Sequence, residues 1–218
     1  MKRMSSLAYH FGVKLRFYPS SKQKKIIKLN YDAQRFVYNS YVGRNRSNYH
    51  AKHYLAVRQY QAMPFAFSIL NNYETRLAEE VVTNSELLDK PRNIRDTYSF
   101  LRVKEIDSLA IANAIQNYQK AWNNYRKIGH GIPTFHKKRS DWSYQTNCQY
   151  PKQSEAYLDN GTARFIDAKH IKLPKLGIVR IAGLRKLIKE RLLKQIPTRI
   201  GTVTIKRPLM TSSTCLCN

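Results

Sequence analysis

Acidic side chains are scarce in this 218-residue chain, with 14 Asp and Glu against 39 Lys and Arg. The formal balance is +25, with a pI near 10.1. Self-repulsion on that scale is usually tolerated because a polyanion neutralises it, so nucleic acid leads as the partner. Cysteine is scarcer still: three residues, two of them among the last four, make no disulfide framework. Nowhere do about 18 consecutive apolar residues occur, as a membrane-spanning helix requires. The early apolar stretch 7–17 is interrupted by His10, Lys14 and Arg16, so it is neither a signal segment nor a span. These absences predict an intracellular, soluble protein of the cytoplasm, associated with the nucleoid and not with a membrane. What is present suffices for a folded core, with 42% apolar and 11% aromatic residues in a length that suits one large domain or two small ones.

The charge is unevenly spread. Residues 20–60 carry nine Lys or Arg and the single acid Asp32, and residues 161–207 carry thirteen bases and two acids, Asp167 and Glu190. Residues 73–107 hold eight acids against six bases. The outer thirds are therefore the candidate binding surfaces, and the middle reads as scaffold.

Along the chain, HFGVKLRFY at 10–18 alternates with period two. Phe11, Val13, Leu15 and Phe17 form one face and Lys14, Arg16 and Tyr18 the other, the pattern of a strand with one buried and one basic side. After Pro19, Ser20 or Ser21 can cap a helix whose apolar positions run from Ile26 to about Val42, ahead of Gly43-Arg44-Asn45-Arg46. Tyr38 and Asn39 fall near its end, and Tyr38 reads equally as core edge or as a nucleic-acid contact. His50 and His53 are three apart, but with no Cys or acid pair nearby the metal signal is weak. Pro64 predicts another helix with a stripe through Val81, and 83–97 reads as a loop or broken helix. A stronger helix is expected from Asp107, its cap, through Tyr125, with Gly129-His130-Gly131 stopping it.

Residues 131–149, GIPTFHKKRSDWSYQTNCQ, form the most informative stretch. A strand-like Thr134-Phe135-His136 precedes Lys137, Lys138 and Arg139, and then Trp142, Ser143, Tyr144 and Gln145. Cations beside aromatic rings are what a nucleic-acid groove needs, while the plainer reading is a solvated loop leading into an amphipathic strand. Beyond it the period falls to two: short strands at 163–168 and 170–173, a turn at Pro174-Lys175-Leu176-Gly177, and a return at 178–181 with Arg180 on a basic face. A basic helix at 184–196 and a strand GTVTIK at 201–206 complete the pattern. The economical fold is α+β, with the first strand joining the late strands and a helical block inserted between them.

The segments KLRFYPSSKQKKIIKLNYDAQRFVYN, IDSLAIANAIQNYQKAWNNYRK, GIPTFHKKRSDWSYQT, HIKLPKLGIVRIAG and GTVTIKR resemble, in order, the N-terminal half of the TnpB/OrfB insertion-sequence family, RNA-guided DNA nucleases once called transposases. The resemblance covers nearly all of 10–207. It implies a wedge-like β-barrel (strand 8–18 plus 129–207) interrupted by a helical recognition insertion at 19–128 with a helix-turn-helix-like start. It also implies guide RNA and double-stranded DNA as partners, base pairing supplying most of the specificity. Tyr38, Asn39, Lys137, Lys138, Ser143, Tyr144, Gln145, Lys172 and Lys206 fall on matching positions; with Lys14, Arg16, Arg139, Trp142 and Arg180 they are the candidate contacts. Relatives continue into a RuvC-like nuclease domain with three metal-binding carboxylates and a zinc ribbon. Here PLMTSSTCLCN follows Arg207, so residues 208–218 read as an atypical tail and the chain as a truncated, non-catalytic member without cofactor. The alternatives are half of a split nuclease whose catalytic part is separately encoded, a stand-alone DNA-binding repressor, or a decayed product that hardly folds.

Overall fold

The computed structural model describes residues 11–59, 90–125, 127, 129–138, 143–152, 154–206 and 214–217, with 45–59 and 214–217 described by backbone only. In chain order the elements are β1 (Val13–Tyr18), α1 (Ser21–Gln59), α2 (Pro91–Thr97), a 3-10 turn (Ser99–Arg102), α3 (Ser108–Asn123), β2 (Ser143–Asn147), β3 (Arg164–Phe165), β4 (His170–Leu173), β5 (Gly177–Ala182), α4 (Lys186–Leu193), β6 (Thr202–Lys206) and β7 (Thr214–Cys217). The fold is mixed α and β. It divides into a sheet unit (Met1–Ala33, Val103–Ala110, Lys138–Asn218) and a helical unit (Gln34–Arg102, Ile111–Lys137), the division falling within α1 and α3.

In the sheet unit, seven antiparallel strands lie in the order β2-β6-β7-β1-β5-β4-β3. Alternation in β1 buries Val13, Leu15 and Phe17, each at 4% exposure or less, against Val179, Ile181, Val203, Ile205, Ile171 and Ile27. Removing a side chain of this size from water stabilises the fold by about 1.5–3 kcal/mol. Ser20 and Gln23 form a reciprocal capping box at the start of α1: the Ser20 N–H donates to Gln23 Oε1 (2.9 Å) and the Gln23 N–H to Ser20 Oγ (3.3 Å). Gln23 Nε2 also donates to the carbonyls of Leu176 and Ile178, fixing that helix start to the β4–β5 turn. The turn is tight because Lys175 and Gly177 take positive φ.

A buried polar knot joins α1, α3 and β2. The Asp107 N–H donates to Asn30 Oδ1 (2.7 Å), while Asn30 Nδ2 reaches the carbonyls of Ile26 and Glu105 (both 2.9 Å). Asp107 Oδ1 accepts the Leu109 N–H, as the cap expected from the sequence, and its Oδ2 accepts the Thr146 hydroxyl. Gly161 sits where any Cβ would run into Cys148 Sγ, which donates to the Ala163 carbonyl (3.1 Å), so only glycine fits.

The described strands pair as an open antiparallel sheet with β2 and β3 as its edges, and no closed barrel is seen among them. β3 is two residues long because the N–H groups of Ile166 and Asp167 both turn back to the His170 carbonyl, leaving almost no edge to pair with β2. Residues 134–136 make no strand. Within the stretch read as an atypical tail, Thr214–Cys217 runs between β1 and β6, and every ladder contact between those two strands passes through it.

In the helical unit, α1 continues through Gly43 instead of stopping before it. One interior glycine costs about 1 kcal/mol against alanine, too little to break a helix whose Val37, Tyr38, Tyr41 and Val42 are buried at 5% exposure or less. Tyr118 and Trp122 of α3 pack beside Tyr38 and Tyr41, with Tyr41 stacked on Tyr118 at 5.3 Å and Trp122 edge-on to it at 6.4 Å. The helix expected from Pro64 to Val81 lies outside the described residues.

Candidate nucleic-acid interface

Strand register decides which side chains share the sheet's outer face. Antiparallel partners share a face, and Arg16 pairs with Ala182, Tyr18 with Arg180, His170 with Arg180, Lys172 with Ile178 and Arg164 with Lys172. On the other side, Ser143 pairs with Lys206, Gln145 with Thr204 and Asn147 with Thr202. The β7 backbone carries this parity across, since Lys14 and Thr204 both pair with Leu216. Lys14, Arg16, Arg164, Lys172, Arg180 and Lys206 therefore stand on one face, opposite the core. Lys14, Arg16, Lys172, Arg180 and Lys206 are exposed and Arg164 is half-buried. No strand position on this face is Asp or Glu. None of these cations is in an ion pair among the described residues.

Within this face, the Arg180 guanidinium lies 5.7 Å from the Tyr18 ring centroid, and Tyr18 is 54% exposed, so cation and ring are presented together. Gln145 Nε2 lies 3.4 Å from Thr204 Oγ1, and apart from Lys206 the β2–β6 end of the face carries amides and hydroxyls. The nearby acid is Asp167, in the β3–β4 turn. It accepts from the Lys169 N–H (2.6 Å) and pairs with His170 Nδ1 (2.8 Å), bonds that hold its carboxyl below the usual range, those to His170 being the larger cause. That carboxylate is thus engaged locally.

The structure separates the sequence candidates into groups. Lys14, Arg16, Ser143, Gln145, Lys172, Arg180 and Lys206 come together on the outer face. Tyr144 does not: it is 1% exposed on the core side of β2, so its ring cannot stack on a base. Tyr38 is a core residue of the helical unit at 5% exposure, stacked on His136 at 3.9 Å, and burial raises its pKa. Asn39 clamps the loop after α3, its Nδ2 donating to the His136 carbonyl (3.0 Å) and its Oδ1 accepting the His136 N–H (2.8 Å). Both act as structural residues because the 131–138 loop lies over them. Lys137 and Lys138 are exposed. Arg139 and Trp142 lie outside the described residues. Arg164, Thr202, Thr204 and Asn147 were missed on the same face. The alternation buries Ala163 and Phe165 around Arg164, which would have revealed it.

Over residues 8–53 the chain matches the sequence model of a helix-turn-helix domain from the OrfB insertion-sequence family. This N-terminal region is of the TnpB/OrfB family. A helix-turn-helix domain of that family points to DNA binding by a transposon-associated protein. In this TnpB/OrfB region, residues 11–53 are β1 followed by the unbroken α1, without a turn between two helices. No curated protein matches the chain. Among the described residues no helix is long and apolar enough to cross a membrane, and no three His, Cys, Asp or Glu lie close enough to hold a metal ion.

Proposed function

We propose that the chain is the nucleic-acid-holding part of a TnpB-like transposon protein, and that the outer face of its sheet grips the phosphate backbone of a guide RNA and of the DNA duplex beside it. The observation that carries this is the run of cations across β6, β1, β5, β4 and β3 with no acid between them. Five strand spacings of about 4.8 Å make that run about 24 Å wide, enough to follow several phosphates. A continuous α1 in place of two helices and a turn supports contact through the sheet rather than through a recognition helix laid in the major groove. The open sheet corresponds, in this reading, to the family's barrel wedge. The chain binds in the cytoplasm and does not cleave. In support, three carboxylates are engaged apart from one another: Asp107 in the buried knot, Asp159 with Gln195 Nε2 (2.9 Å), and Asp167 with His170.

The test is to express the chain with its own flanking DNA, purify it at moderate salt and sequence the RNA that comes with it. One enriched RNA from the element's end is the expected result. Featureless RNA that washes away, with tight duplex binding remaining, would leave a DNA-binding protein and remove the guide.

A further inference from the structure

Four aromatic rings of the helical unit are sealed in its core: Tyr38, Tyr41, Tyr118 and Trp122 are each 6% exposed or less. One cluster differs. Phe36 of α1 meets Tyr98 edge-on (4.9 Å, 82°) and Phe100 edge-on (4.8 Å, 81°), and Tyr98 lies 6.2 Å from Phe100. Phe100 is 48% exposed, and Phe36 and Tyr98 are half-buried. The segment that presents them is held stiffly. Ile94 and Leu101 anchor it at 1% and 0% exposure, and the Tyr98 and Leu101 N–H groups donate to the Ile94 and Tyr98 carbonyls.

Arginines lace the same segment. Arg95 Nε donates to the Leu101 carbonyl (3.1 Å), and Arg102 donates from Nε to the Arg95 carbonyl (3.1 Å) and from Nη2 to that of Asp96 (3.0 Å). These bonds fix each guanidinium while leaving further N–H donors on it. Arg102 also pairs with the exposed Asp96 at 3.3 Å, whereas Arg92 and Arg95 have no acid partner among the described residues. Rigid rings open to solvent beside fixed cations match the needs of a strand whose bases are not paired: each base has a π-face to stack, and each phosphate a charge to meet. A duplex keeps its bases stacked inside and gains nothing from such rings.

We propose that Phe36, Tyr98 and Phe100, with Arg95 and Arg102, form a stacking platform for single-stranded nucleic acid, separate from the basic sheet face and able to stand without it. The rings and phosphates involved are common to RNA and DNA, so the platform reads unpairedness and not the sugar.

The experiment measures anisotropy of the full chain binding a fluorescent 20-nucleotide oligo(U), the matching oligo(dT) and a 20-base-pair duplex. Phe100→Ala should weaken single-strand binding about 5- to 150-fold, the range of one lost base–aromatic stack, and leave duplex binding unchanged. Phe100→Leu, which keeps an apolar side chain and its packing on Phe36, should show the same selective loss, and Phe100→Tyr should restore binding. Equal losses on the two oligomers are expected, and a loss confined to one of them would overturn a platform that does not read the sugar. Phe100→Leu binding like the unaltered protein, or equal losses on duplex and single strand, would overturn it. A Lys14→Gln, Lys172→Gln protein measured in parallel keeps the readings apart: normal duplex binding there would sink the sheet-face proposal and leave this one standing.

Discussion

Neutralising two cations on the outer face should lower not only affinity but its dependence on salt. Lys14 on β1 and Lys172 on β4 are exposed, stand on one side of the sheet and are in no ion pair among the described residues. Replacing both by Gln should change stability by no more than about 0.5 kcal/mol each, as for ordinary surface positions. If Lys14, Arg16, Arg164, Lys172, Arg180 and Lys206 each neutralise a phosphate, log Kobs should fall against log salt with a slope of about −5 on duplex DNA, or about −4 on a single strand. Affinity should then drop about 2,000-fold between 50 and 200 mM salt on duplex, and about 150-fold in the double variant, whose slope shrinks to near −3.6. With the 1 M intercept unchanged, the variant should bind about 30-fold more weakly at about 150 mM. The assay is a fluorescence-anisotropy titration at five salt concentrations, with circular dichroism to confirm the fold. The control is Lys189→Gln with Lys194→Gln, two exposed cations on and just after α4 that lie off the face and remove the same charge. If the control flattens the slope as much as Lys14→Gln, Lys172→Gln, net charge alone drives binding and the reasoning from register is refuted.

Other outcomes follow from single contacts. Gly43→Ala should raise stability by about 0.5–1 kcal/mol, because the added Cβ meets only the Phe135 ring at 3.7 Å, an ordinary contact; a loss in urea unfolding would show that α1 breaks there after all. Asp107→Ala removes the α3 cap and orphans the buried Thr146 hydroxyl, so it should cost about 2–4 kcal/mol in the same assay. Asp107→Asn, which keeps an acceptor for the Leu109 N–H, should cost clearly less. Burial first and Arg35 second lower the pKa of His136, so the unfolded chain takes up its proton before the folded one does. The associated stability is complete above about pH 6.5 and is lost as pH falls from there through the folded pKa. Between about pH 7.5 and 5.5 the urea midpoint should fall further for the unaltered protein than for His136→Phe, which keeps the stack on Tyr38; parallel falls would remove His136 as the cause.

Residues 8–53 already bore the family pattern in their sequence, and several elements were equally legible. The alternation of Val13, Leu15 and Phe17 with Lys14 and Arg16 defined both faces of β1, because a strand sends successive side chains to opposite sides. Asp107 was readable as a cap for the same local reason. The end of α1 was not legible: Gly43 looks like a stop, but a penalty of about 1 kcal/mol is small beside the burial of Tyr38, Tyr41 and Val42 around it. Nor could sequence choose between the two readings of Tyr38, because its burial depends on Tyr118 and His136, distant along the chain. Tyr144 was misjudged in the same way, as its neighbours announce an amphipathic strand without saying which side is wet.

The sequence by itself determined that this chain is basic, poor in acids and built of a strand, a helical block and more strands, since composition and periodicity are local properties. Only the tertiary structure decided that cations from β1, β3, β4, β5 and β6 share one face while Tyr144 lies beneath it. Register sets that, and register is fixed by pairings between residues as far apart as Arg16 and Ala182, which no local pattern encodes.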